Sequence, residues 1–150
     1  GQSIDSLISN IKKNFSIKKH NKEFKPANKN TFGMYIDKNW YELNVIKEKI
    51  NSIDPVKSLD VSILHDTIIE PLLGIYDERT DSRIDFVGGA RGLKELENRV
   101  NNDGFDIAFA LFPTPIEALI NVAEANKVMP PKSTWFEPKL LDGLLSHLIN

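Results

Sequence analysis

The residue types best suited to chemistry are concentrated in one stretch, Met129 to Lys139, which reads Met-Pro-Pro-Lys-Ser-Thr-Trp-Phe-Glu-Pro-Lys. Lys132, Ser133 and Thr134 together could hold an anion, and Trp135 could stack on a ring. The flanking prolines hold the backbone extended, which lowers the entropy lost when a ligand is bound. The competing reading is an edge strand whose prolines block pairing and whose Trp135 fills the core. A second anion candidate is Gly88-Gly89-Ala90-Arg91-Gly92, placed between an expected strand and an expected helix. Gly88 and Gly89 would let a phosphate approach the helix N-terminus, and Arg91 could contact it with two N–H groups. The string matches neither the dinucleotide nor the P-loop pattern. A tight turn needing positive φ explains it as well.

Other chemistries find less support. His20, His65 and His147 are far apart, and no pair of them has metal-ligand spacing, so no metal site is read. His65 adjoins Asp66 on an expected helix, but neighbours at i and i+1 do not face each other. No serine–histidine–aspartate set can be assembled, and with no cysteine there is neither a thiol nucleophile nor a disulfide framework. Catalytic residues and cofactor are therefore not assigned.

The elements that would position these residues are legible from periodicity. Ile4, Leu7, Ile8, Ile11 and Phe15 mark an amphipathic helix over residues 3–14. Lys18 to Asn30 is polar and aperiodic and reads as a linker. Alternation at Phe32, Met34 and Ile36, and again at Tyr41, Leu43 and Val45, predicts a hairpin about Asp37-Lys38-Asn39. Leu59 to Leu73 is a helix capped by Asp60 and kinked at Pro71, with Gly74 as its stop. Arg83 to Val87 is a strand, and the next helix buries Leu93, Leu96 and Val100. Phe105 to Phe112 is a central strand buried on both faces. Thr114, Pro115 and Glu117 form a helix start of capping-box type, with Ile116, Leu119, Ile120 and Ala123 as the buried stripe. Ser133 to Glu137 and Leu144 to Ile149 are strands, the second following a connection at Lys139–Gly143.

This order predicts an α/β (α+β) fold: a mixed, partly parallel sheet of five to six strands, an N-terminal β-hairpin and three to four helices. Residues 1–30 are expected to be a helix and basic linker, and residues 31–150 a single domain. The chain starts at Gly1 and contains only Met34 and Met129, so it is expected to be part of a longer protein. No apolar run approaches a membrane span. With no secretory signal and no cysteine, a cytoplasmic location is expected. Residues 1–30 hold seven lysines against two acids, but no arginine and few aromatics, so nucleic acid is not an expected partner.

Four strings occur in order: Leu59-Asp60-Val61-Ser62-Ile63-Leu64-His65, Ile84-Asp85-Phe86-Val87-Gly88-Gly89, Phe109-Ala110-Leu111-Phe112-Pro113-Thr114 and Met129 through Leu140. Together they resemble the C-terminal region of the uncharacterised domain-of-unknown-function family ten-fifteen of bacterial and archaeal proteins, with the likeness running from Thr31 onward. The resemblance implies a longer protein whose N-terminal part carries an Asp-Gly-His-His-Arg-Tyr motif, a string not found here. Its association with serine biosynthesis implies phosphoryl chemistry on serine or a related metabolite. The expected function is thus the C-terminal domain of a small-metabolite enzyme that contributes an anion-binding surface for a phosphorylated or anionic small molecule. The alternative is a non-catalytic scaffold that packs on a missing N-terminal domain or forms a homodimer, and this predicts an exposed apolar patch near the N-terminal helix or the final strand.

Overall fold

The computed structural model describes residues 3–50, 53–88, 92–129 and 141–146. Its elements are α1 (Ile4–Ile11), β1 (Phe15–His20), β2 (Thr31–Ile36), β3 (Asn39–Val45), α2 (Asp60–Leu64), a π-helical turn (His65–Ile69), β4 (Ile84–Gly88), α3 (Gly92–Asn102), β5 (Ile107–Leu111), α4 (Ile116–Glu124) and β6 (Leu141–Ser146). A short 3₁₀ turn (Lys47–Lys49) follows β3.

The strands form one six-stranded sheet in the order β1-β3-β2-β5-β6-β4. All five pairings are antiparallel, which corrects the expected partly parallel sheet; the α+β class and the strand number stand. Strand–helix alternation suggested parallel crossovers. Instead, β5 enters between the hairpin strand β2 and the C-terminal β6, antiparallel to both.

Period-2 alternation assigns the two faces. On one face Phe32, Met34, Ile36, Leu43, Ile107, Phe109 and Leu111 pack with Leu7 and Ile11 of α1 and with Ile63, Leu64, Ile68 and Ile69. On the other, Tyr35, Trp40, Ala108 and Ala110 pack with Leu96 of α3. Every residue of β5 is buried, as its apolar run required. A fully buried Phe109 contributes about 1.5–3 kcal/mol relative to exposure.

Several expected elements change. Phe15–His20 is an edge strand paired with β3, where sequence suggested a helix end running into a linker. Only Phe15 is buried in it, and Lys18 and Lys19 blunt its outer edge. The hairpin closes on two residues, since Ile36 pairs with Asn39 and both Asp37 (φ 51°) and Lys38 (φ 63°) lie in the left-handed region of a type I′ turn. Helix α4 begins at Ile116 with Pro115 as its cap residue and no side-chain cap bond. It buries Ala118 and Val122 against Leu59 and leaves Ile116 and Ile120 exposed, so the expected stripe is rotated. Strand β6 starts at Leu141, inside the expected Lys139–Gly143 connection.

Two side chains generate tests of this architecture. A Cβ on Gly33 would lie 2.8 Å from the Phe24 carbonyl oxygen and 3.1 Å from Trp40 Cζ3. The first neighbour is backbone and cannot swing aside, so Gly33→Ala should destabilise the fold by about 1–3 kcal/mol in urea denaturation. Asp60 does not cap its own helix. Its Oδ1 instead accepts the Asn30 N–H at 2.9 Å, tying α2 to the start of β2. Burial pushes the Asp60 carboxyl up to about 6 against the Asn30 hydrogen bond, which lowers it. The folded state therefore binds this proton more tightly than the unfolded chain, and stability falls as pH rises from about 4 through 6. Asp60→Asn should flatten that fall and stabilise the protein at pH 7 by at most about 2–3 kcal/mol, measured by urea denaturation at pH 4 and pH 7.

Candidate functional site

Pro71 has no N–H to continue an α-helical ladder, and the chain prepares for it by widening the preceding turn. The Glu70 N–H donates to the His65 carbonyl at 2.9 Å, an i→i+5 bond. Beyond Pro71, the N–H groups of Leu72 and Leu73 both reach the Ile68 carbonyl, at 3.0 and 3.1 Å. The Thr67 hydroxyl bonds back to the Ile63 carbonyl, a local bond that also favours bending. In a regular α-helix residue i+5 lies about 140° around the axis from residue i. The π turn closes that gap and brings the Glu70 side chain over His65.

The result is an imidazole held on both nitrogens. His65 Nδ1 lies 2.9 Å from Glu78 Oε1, and Nε2 lies 3.0 Å from Glu70 Oε2. Ionised carboxylates only accept, so this arrangement needs an imidazolium or one protonated glutamic acid. Burial pushes the Glu78 carboxyl up, opposed by its hydrogen bond from His65. The two partners are unequal: the Glu78 side chain is 14% exposed and that of Glu70 44%. Nδ1 is the anchored nitrogen, and Nε2 sits behind a carboxylate that can move.

His65 opens onto a cleft of 440 Å³. Val56, Val61, Tyr76 and Val128 supply apolar wall, and Ser62, Asp66 and Glu78 supply polar groups. Lys57 Nζ pairs with Asp66 at 3.2 Å, and Arg79 Nε pairs with Asp77 at 3.1 Å. His65, Asp66 and Glu70 each offer a donor atom within 4.8 Å of the others, the one such group among the described residues. A second concavity, 570 Å³, lies across the sheet at the end of β1. Lys19, Lys22, Lys38 and Lys94 rim it beside His20 and Trp40. Its acids are engaged: Glu97 accepts from Trp40 Nε1 at 2.9 Å and from Lys94, and Glu23 is 3.5 Å from Lys94.

Of the sequence-derived site residues, only Gly88 is described. It ends β4 at a register shift against β6. Gly89, Arg91, Lys132, Ser133 and Thr134 lie outside the described residues, as does the expected Ser133–Glu137 strand. Gly92, at the start of α3, takes φ 72°. Helical spacing alone gives His65 no facing partner, since Asp66 adjoins it at i+1. Its partners are Glu70 and Glu78, five and thirteen residues on, and the signal for the first was the proline that breaks the helical period.

No helix among the described residues is long and apolar enough to cross a membrane. Comparison with curated proteins and with solved structures finds no significant match. The model of a family described as "Protein of unknown function (DUF1015)" matches residues 1–62. That segment runs from α1 through the hairpin into α2, stops short of His65, and takes in only Leu59–Ser62 of the strings that carried the resemblance. The match covers less than half of the chain and is to the same family that the resemblance named.

Proposed function

We propose that this chain is a domain of a small-metabolite enzyme and that its ligand occupies the cleft beside His65, with Nε2 as the working nitrogen. One observation carries the reading: a histidine bonded through both nitrogens to carboxylates of unequal burial, at the wall of a partly apolar cleft. Pockets of this kind, with a few convergent polar groups and a displaced carboxyl pKa, are where small molecules bind. A nitrogen anchored at Nδ1 and released at Nε2 is suited to exchange a proton or to bind a cation.

The scaffold alternative predicts an exposed apolar patch near α1 or the final strand, and the side chains of β6 lie outside the described residues. The large exposed apolar side chains among the described residues are Ile53, Tyr76, Ile116, Ile120 and Val128, and none lies on α1. Tyr76, 73% exposed, and Val128, 85% exposed, belong to the cleft wall. The anionic character of the ligand stays part of the proposal, with Lys132, Ser133, Thr134, Arg91, Gly88 and Gly89 as its contacts. The lysine-rimmed concavity, across the sheet from His65, is a separate place that would attract an anion. Lys19, Lys22 and Lys38 have no ion-pair partner among the described residues, so their charge is available to an anion.

A metabolite panel screened by thermal shift against wild type and His65→Gln tests the assignment. A ligand at about a hundred times its Kd adds about 2.7 kcal/mol to stability. That corresponds to a rise of several degrees in Tm for a chain of this size. The shift should vanish in His65→Gln. Hits that stabilise both proteins equally, or a panel without hits, would contradict it.

A further inference from the structure

The cleft holds more negative than positive charge. Asp66, Asp77 and Glu78 line it with Lys57 and Arg79, and Glu70 stands beside it on His65. An anionic metabolite entering it would be repelled unless a cation accompanied it. Two nitrogen groups already occupy the places where that cation would contact protein. The Lys57 ammonium sits on Asp66, and a ring nitrogen of His65 sits on Glu70.

We infer that one divalent transition-metal cation binds at the edge of the cleft through His65 Nε2 and one carboxylate oxygen each from Asp66 and Glu70, with Glu78 orienting the imidazole. The inference rests on the reading of the His65 cleft as the ligand site. Three observations support it. First, the three donor atoms lie within 4.8 Å of one another, and Nε2 is already 3.0 Å from Glu70 Oε2. An ion about 2.0–2.2 Å from each donor requires donor separations of about 3–4 Å, so closure takes only small side-chain movements. Second, Glu78 holds Nδ1 at 2.9 Å, the carboxylate–histidine contact that fixes the tautomer of a metal-bound imidazole. That contact lies outside the three ligands and leaves Nε2 on the side of Glu70. Third, the set is made by the π turn, since a regular α-helix would carry Glu70 away from His65. One imidazole and two carboxylates suit Zn²⁺, Co²⁺ or Mn²⁺ better than an all-oxygen cage suited to Ca²⁺.

The exchange at the site is balanced. Where Nε2 carries a proton, its N–H bond breaks, the lone pair binds the cation, and the proton passes to the buffer. Lys57, whose side chain is 55% exposed, leaves Asp66 for solvent. Binding should therefore release protons, and affinity should fall as pH is lowered.

Calorimetric titration of the chelator-treated protein with Zn²⁺, in two buffers of different ionisation enthalpy, tests the inference, with Co²⁺ absorption reporting the ligand set. One ion should bind per chain, with proton release. His65→Gln and Glu70→Gln should each weaken binding at least tenfold. Glu78→Gln, which touches no metal, should weaken it about 10–100-fold. Because Glu70 is the more exposed partner, Glu70→Gln should keep the wild-type circular dichroism, so a loss there reports the ligand rather than the fold. Absence of Zn²⁺ binding at millimolar concentration, or equal affinity in wild type, His65→Gln and Glu70→Gln, would overturn the inference. The two readings fail separately. Metabolites that stabilise the chelator-treated wild type but not His65→Gln would remove the metal and leave the cleft. Zn²⁺ binding with no His65-dependent metabolite would remove the ligand reading.

Discussion

The hydrogen bond from the Glu70 N–H to the His65 carbonyl is the constraint on which the site depends. It is one bond of a π turn, set where Pro71 ends the helical ladder. Without the widened turn, Glu70 would point about 140° away from His65 and the imidazole would keep only its Glu78 contact. Single π turns inside helices recur at functional positions because they realign one side chain without dismantling the helix. Here the buried side of the same segment, Ile63, Leu64, Ile68 and Ile69, stays packed on the sheet while the outer side is rearranged.

The sheet supplies the rigidity this requires. A six-stranded antiparallel sheet with helices on both faces buries alternate residues of β5 in two separate clusters. Helix α2 and the π turn rest on one of those faces, pinned at the start by the bond from the Asn30 N–H to Asp60. Asp60 is held half-buried without a cationic hydrogen-bond partner, so this tether costs stability near neutral pH. The opposite face carries α3, whose Arg99 ties Asp85 of β4 at 2.8 Å and Glu95 at 2.9 Å. The lysine-rimmed concavity and the His65 cleft thus lie on different sides of one sheet.

Much of this frame was legible in the sequence. The hairpin, the fully buried β5, the face of α3 and the stop at Gly74 followed from periodicity and turn chemistry. The antiparallel topology did not, because alternation of strands and helices says which elements exist but not where β6 inserts. Strand β1 was hidden because an edge strand with two lysines and a histidine reads as polar linker. The stripe of α4 was misread because only Ala118 and Val122 pack inward, leaving the larger isoleucines outside. For the site, sequence spacing offers His65 no second histidine and only Asp66 as a neighbouring acid. The structure joins one histidine to carboxylates at i+5 and i+13, and no fixed spacing announces that combination.

The central claim is that Glu78 fixes the His65 proton at Nδ1 and leaves Nε2 to the more exposed Glu70 carboxylate. Two-bond ¹H–¹⁵N spectroscopy of the histidine ring in chelator-treated protein tests it most directly. Once a single ring proton remains, it should reside on Nδ1 in wild type, and Glu78→Gln should lose that preference while Glu70→Gln keeps it. A wild-type ring that carries its remaining proton on Nε2 would contradict the account.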